Sequence, residues 1–523
     1  MKQLYIGRVL TMAQPQYAQA VLVEDGVIRA VGSAAELRKL GGDCEEIPFQ
    51  GTLLPGFIDA HSHYSQMAYA CLQASLNDVR SAQEIGQRMK AFLQETKPAP
   101  GTWIQARDYD HNLLPGGKNI TLEQLDALTP GHPLVIHHKS GHMGLMNSQA
   151  LEALGITPET PAPEGGRIEV KEGKLTGYLE ENAFIAYLKR IPSPPLAALV
   201  EAFGKAQEKY AAHGITTMQD GMAVEQMFPL YHMLLERNLL KMDLVAYFSP
   251  DCYEKAVEEF GSGSSQSHLK IGGIKIFLDG SPQGRTAWMR TPYLGETEYR
   301  GYGTMSDAQV LEAMEFAWAH KTQLLCHCNG DEAAEQFLRC LEQAEQQHPD
   351  LAQLRPVIIH GQLLGVDQLE RVKKLGAVVS FFVAHVYHWG DVHIRNFGLE
   401  RAAKISPVRS ARNCGIPVTF HQDAPVIQPD MLETVWCAVN RVTRQGVPLG
   451  TEECVSVPEA LQAVTTGAAY QYFQEKTMGS IEPGKRADFV LLSQDPLEVP
   501  KEALREIQVL ETIQGGQKIW CRK

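Results

Sequence analysis

The chain has no cysteine pair at Cys-x-x-Cys spacing; its ten cysteines are scattered. That leaves a structural zinc ribbon without support and reads as free thiols in a reducing compartment rather than a disulfide framework. No segment reaches the roughly 18 uncharged apolar residues that a bilayer span requires. Arg8 interrupts the short apolar run near the start, where a signal peptide needs an unbroken one, so the expected location is cytoplasmic, without a membrane partner. Basic blocks are missing: 48 Lys and Arg stand against 61 Asp and Glu, a net charge of −13 at pH 7. An acidic surface repels phosphate backbones, so no nucleic-acid partner is expected. Heptads, low-complexity tracts and internal repeats are absent. So is G-x-S-x-G, which removes the nucleophile-elbow hydrolases.

What is present is ordinary for a soluble globular chain: 523 residues, 44% apolar and 21% charged, enough for more than one domain. Both ends read as short β-runs. QLYIGRVLTM is followed by AVLVEDGVIRAVG, turned at Asp25-Gly26, and RADFVLLS by QVLETIQGGQKIW, turned at Gly515-Gly516. Neither end is long enough to build a core alone, so residues 1–54 and 478–523 are expected to combine into one small β-sandwich.

Residues 55–477 alternate strand and helix patterns, the mark of a parallel sheet wrapped by helices. Eight strands are predicted: GFIDAHSH (56–63), GITTMQDG (214–221), DLVAYFS (243–249), GGIKIFLDG (272–280), QLLCHCNG (323–330), PVIIHGQ (356–362), AVVSFFV (377–383) and IPVTFHQDA (416–424). Eight closes a (β/α)8 TIM barrel, whose reactive residues lie late in the strands. The stretch between the first two strands is too long for a simple crossover. An insertion at about 75–205 should carry its own structure above the barrel mouth, including a helix with a capping box at Ser81 and Glu84 and a hairpin in GGRIEVKEGKLTGYLEE.

The polar residues of these strands carry the chemistry. His61 and His63 stand two apart, so strand alternation turns both imidazoles to one side, as a divalent ion requires. His327 and His360 each close an apolar strand; singly, each is as well explained as a hydrogen-bonded core histidine, but four histidines at the same ends of three strands are not. Cys326 and Cys328 flank His327 and alternate away from it as packing residues. Asp423 ends the eighth strand, where a carboxylate can ligate a metal and take a proton, or simply form a turn beside Pro425. Lys275 lies within a strand, where an ammonium is costly unless paired, with Asp279 for example, or held neutral and converted to a carbamate.

LLPGFIDAHSH, the lysine of IKIFLDGS, the strand-end histidines, HQDAPV and GSIEPGKRADFVLL together resemble the amidohydrolase superfamily, and within it the formamide-deformylase-like (YtcJ-like) branch. The resemblance spans nearly the whole chain. It implies one or two divalent metal ions, zinc above all: His61, His63 and Asp423 on the first, His327 and His360 on the second, with a carboxylated Lys275 bridging them. It also implies hydrolysis of a C–N bond (amide, formamide or cyclic amide) of a small-molecule substrate by metal-activated water, with Asp423 as general base and acid. Members commonly carry Ser directly before the final Asp; here Gln422, preceded by His421, takes that place. SGHMGLMNSQAL, with His142 and Asn147, resembles the inserted segment that approaches the active site in this branch. His385 and His388 follow the seventh strand. These four are candidate substrate contacts, set against the commoner reading of a capping Asn and surface histidines. Rival functions are deamination or ester hydrolysis on the same site, or a non-catalytic metal-binding regulator. Assembly as a homo-oligomer (a dimer) stays open.

Overall fold

Eight parallel strands follow one another in chain order in a computed structural model that describes residues 1–139, 143–261 and 268–523. They are β1 (Phe57–Ile58), β2 (Ile215–Ala223), β3 (Asp243–Phe248), β4 (Leu269–Phe277), β5 (Gln323–Cys328), β6 (Val357–His360), β7 (Val378–Phe381) and β8 (Val418–Phe420). Each overlaps the stretch the sequence assigns to it. Near-continuous burial along β2, β3 and β6 is what a sheet covered on both faces demands. The ring is drawn shut beyond the short β1: Asp423 N–H donates to His61 O at 3.2 Å, and His63 N–H to Ala424 O at 2.8 Å. Ile58, Val245, Tyr247, Leu325, Val357, Ile359 and Val378 fill the interior together with Tyr472.

Strands from both ends of the chain pair with one another, seven of them hydrogen-bonded in a single continuous sheet. Glu45–Pro55 is the stitch: it pairs in parallel with Lys2–Leu10 on one side and antiparallel with Phe489–Leu492 on the other. Asp25-Gly26 and Gly515-Gly516 form the two tight turns, all four residues at positive φ as such hairpins require. This sheet and the barrel belong to one unit, Met1–Ser65 with Gln207–Lys523.

Gln66–Ala206 is a second unit. Its six-stranded sheet includes the parallel neighbours Ile104–Tyr109 and Leu134–His138 and the hairpin Gly166–Lys171/Lys174–Glu181. The helix Ala82–Thr96 carries half of the expected capping box: Ser81 Oγ accepts from Glu84 N–H, but the Glu84 carboxylate accepts from Arg80 N–H instead of Ser81. Among the described residues no helix is long and apolar enough to cross a membrane.

Candidate metal centre

All six residues singled out as metal ligands converge at the ends of these strands. His61 and His63 lie just past β1, which is only two residues long because the chain leaves the ladder after Ile58. Their Nε2 atoms come within 3.6 and 3.2 Å of Asp423 Oδ1. These three ligand atoms lie within 4.8 Å of one another. Lys275, fully buried on β4, places Nζ 3.2 Å from His61 Nε2. His327 Nδ1 and His360 Nε2 face each other at 3.1 Å, and His360 Nε2 is 4.0 Å from Asp423 Oδ2.

Alternation does not explain His360. In β6 Val357 and Ile359 pack into the barrel interior, so the next side chain should turn outward. A left-handed backbone at His360 (φ 73°) accompanies its reach toward His327 instead, and Asp423 is left-handed too (φ 56°). Such conformations in non-glycine residues cost energy and concentrate at functional sites.

An outer layer of hydrogen bonds engages the far sides of the His61, His327 and His360 rings. Gln219 on β2 gives its amide hydrogens to Ala60 O and the Tyr472 hydroxyl, both at 2.8 Å, so its Oε1, 2.5 Å from His61 Nδ1, must accept. His61 is thereby protonated at Nδ1 and presents a lone pair at Nε2. His327 Nε2 lies 3.1 Å from Gly280 O and 3.0 Å from Asn329 Nδ2. His360 Nδ1 and His421 Nε2 share a hydrogen bond at 3.0 Å, and His421 Nδ1 and Ser380 Oγ share another at 2.8 Å. Burial holds His61 and His360 far below the usual imidazole range and His327 at about 4, so the rings are neutral. Burial alone would raise Asp423; the imidazoles around it, His63 foremost, outweigh it and keep the carboxyl low. Neutral nitrogens and a carboxylate oxygen turned toward one another fit a divalent cation of the zinc type.

Lys275 is pushed down to about 8, chiefly by burial. Asp279, weighed as its salt-bridge partner, is engaged elsewhere. It accepts from the backbone N–H of Trp288, Asn329 and Gly330 at 2.7–3.0 Å and lies 3.5 Å from His327 Nε2. Cys326 and Cys328 sit side by side, Sγ atoms 3.6 Å apart, as alternation against His327 requires. Gly221 is a necessary gap, since a Cβ there would fall 2.4 Å from His61 Cε1.

The candidate substrate contacts fare differently. His385 is buried, its ring 6.2 Å from that of His360 and its Nδ1 without a hydrogen bond. His388 is engaged by Glu433 at 2.8 Å. Asn147 has its side chain committed to backbone: Oδ1 accepts from Leu134 and Ala150 N–H, and Nδ2 donates to His132 O, the capping role weighed against a pocket role. His142 lies outside the described residues. Sequence reasoning missed Gln219, His421 and Ser380. Only His421 left a signal, standing two residues before Asp423 at the end of β8.

A parallel eight-stranded barrel with imidazoles and a carboxylate gathered at its strand ends defines the class of barrel hydrolases with a histidine–carboxylate centre. The chain belongs to the amidohydrolase family, which it matches over residues 50–519. A short match to an imidazolonepropionase-like composite domain of bacteria covers residues 20–40. It is 29% identical to the N-substituted formamide deformylase of Arthrobacter pascens, covering 96% of this chain and 95% of that one. To the protein YtcJ of Bacillus subtilis (strain 168) it is 28% identical, covering 98% of both. Among solved structures, an uncharacterized metal-dependent hydrolase from Pyrococcus furiosus superposes with a TM-score of 0.78 at 25% identity, over 95% of this chain and 100% of that one.

Proposed function

We propose that this protein is a metal-dependent amidohydrolase that cleaves a C–N bond in a small amide, formamide or cyclic amide. The observation that carries the reading is the convergence of His61, His63 and His360 on the Asp423 carboxylate, with His327 against His360 and Lys275 against His61. His61, His63 and Asp423 would hold one ion, His327 and His360 a second. Lys275 lies beside His61, and its depressed basicity supports reaction of the neutral amine with carbon dioxide, releasing a proton, to give a carbamate that would help hold both ions. When bound, such ions supply Lewis acidity toward water and toward an acyl oxygen. Asp423 receives a proton from the attacking water and returns it to the departing nitrogen, without which an amine leaves poorly. His385 borders the histidine cluster and contacts the substrate. The formamide deformylase relative supports the C–N class.

The ten free cysteines support a reducing, cytoplasmic setting, and the acidic charge balance a small-molecule ligand rather than nucleic acid. A dimer is compatible with the same reading. The test is a hydrolysis screen of N-formyl, N-acyl and cyclic amides, with esters and amino-substituted rings alongside, on protein of measured metal content. Amine release that a chelator abolishes and zinc restores is expected. Full activity in metal-free protein, or turnover of esters or ring amines alone, would overturn the proposal.

A further inference from the structure

A second set of metal-type side chains lies within Gln66–Ala206, the unit that holds none of the barrel ligands. Ile104–Tyr109 and Leu134–His138 run parallel, with Tyr109 opposite His138. The end of one strand therefore delivers Asp110 and His111 to the same sheet edge at which the other delivers His138. Asp110, His111 and His138 offer ligand atoms that all lie within 4.8 Å of one another. His138 Nε2 is 3.5 Å from Asp110 Oδ1, and the rings of His111 and His138 are 5.2 Å apart. Nδ1 of His111 is buried without a hydrogen-bond partner.

Neighbouring polar groups sort themselves out of this cluster. His137 alternates to the other face of the strand, where its Nε2 meets Gln105 Oε1 at 2.9 Å and its ring packs on Phe184. Asp110 Oδ1 accepts from the backbone and side-chain N–H groups of Asn112, both at 2.9 Å. Burial pushes Asp110 up, but Asn112, His138 and His111 outweigh it and keep the carboxyl ionised; burial pushes His138 down, keeping that ring neutral. His111 also lines a groove of about 920 Å³ with Asn119, Thr121, Arg167, Tyr178 and Glu180.

We propose that Asp110, His111 and His138 form a separate binding site for one divalent transition-metal ion in the inserted unit. Two imidazole nitrogens and one carboxylate oxygen are the ligand set of zinc and its first-row neighbours, and three protein ligands leave a coordination position open to a further group. The site needs nothing from the barrel centre, so the two can be tested apart.

The experiment uses the full-length protein loaded with zinc, passed through gel filtration and measured for bound metal. His111→Ala/His138→Ala is expected to carry one equivalent less than wild type, and His327→Ala/His360→Ala to keep the equivalent that this pair removes. Asp110→Asn retains the cap on Asn112 while removing the charge, and should lose the same ion at lower zinc. A readout independent of folding comes from wild type alone: zinc should slow diethyl pyrocarbonate modification of His111 and His138 several-fold, as mapped by mass spectrometry. Unchanged stoichiometry in the double variant, or equal modification with and without zinc, would overturn the site.

Discussion

Gln219→Met isolates what the outer layer contributes to the centre. Methionine keeps the length and bulk of the buried side chain but removes the acceptor that faces His61 Nδ1 at 2.5 Å. The other two bonds are lost more cheaply. Ala60 O still accepts from Gln471 at 2.8 Å, and the Tyr472 hydroxyl still donates to Asp59 O at 2.6 Å, so neither becomes an orphan. What remains is a buried imidazole N–H with no partner, a loss of about 1–3 kcal/mol in stability. The ring is also released from its tautomer, so half of its purpose as a ligand is gone. Groups that orient metal-ligating histidines are typically worth about 10- to 100-fold in metal affinity, or about 1.4–2.7 kcal/mol. The assay is zinc competition against a chromophoric chelator at fixed pH, beside thermal unfolding of the metal-free protein. Gln219→Glu restores an acceptor and should recover most of the affinity. If Gln219→Met binds zinc as tightly as wild type while losing stability, Gln219 is a packing residue and the tautomer argument fails.

Asp423→Asn keeps the shape of the carboxylate but removes its basicity. Turnover of an amide should fall about 10⁴-fold while metal at His327 and His360 is largely retained, as read by steady-state kinetics beside metal analysis. Lys275→Ala should lose bound metal and recover it with a short carboxylic acid in the buffer; a variant that keeps its full metal content would remove Lys275 from the centre. Away from the site, Glu335 is raised by burial, but Arg371, Gln368 and Arg290 outweigh this and hold it at about 2, against 4.5 for a free glutamate. A folded-state value below the unfolded one means that its stabilisation is present above pH 4.5 and drains away as pH falls toward 2. Glu335→Gln should therefore lower the Tm at pH 7, and the gap to wild type should close across that acid window; a gap that stays constant refutes the ion-pair account.

The legible part of the fold was whatever depends on pattern along the chain. Eight apolar runs with polar ends mark the barrel, and paired turns at Asp25-Gly26 and Gly515-Gly516 mark the terminal sheet. The six candidate ligands were legible for the same reason: five are strand-end residues of the right chemical type, and Lys275 is a lysine inside an apolar strand. The outer layer was not. Gln219 meets His61 across 158 positions of sequence, and Ser380 meets His421 only because β7 and β8 are neighbours in a closed ring. His360 defeats alternation through one left-handed residue, which no periodicity records. Asn147 looked like a pocket residue because Asn at a helix start and Asn in a binding loop are written with the same letter; only its three backbone bonds separate them.

The stitching strand Glu45–Pro55 also sets a timetable for synthesis. Its neighbour on one side, Lys2–Leu10, leaves the ribosome before it, but the other, Phe489–Leu492, is about 430 residues behind. At roughly 5–20 residues per second, the edge formed by Thr52–Pro55, with Leu53 and Leu54 destined for full burial, waits about 20–90 s for its partner. An unpaired apolar edge is a template for the wrong strand, including the same strand of a nascent chain on an adjacent ribosome. That edge stays open until Phe489–Leu492 arrives, and a chain truncated before Phe489 keeps it open permanently.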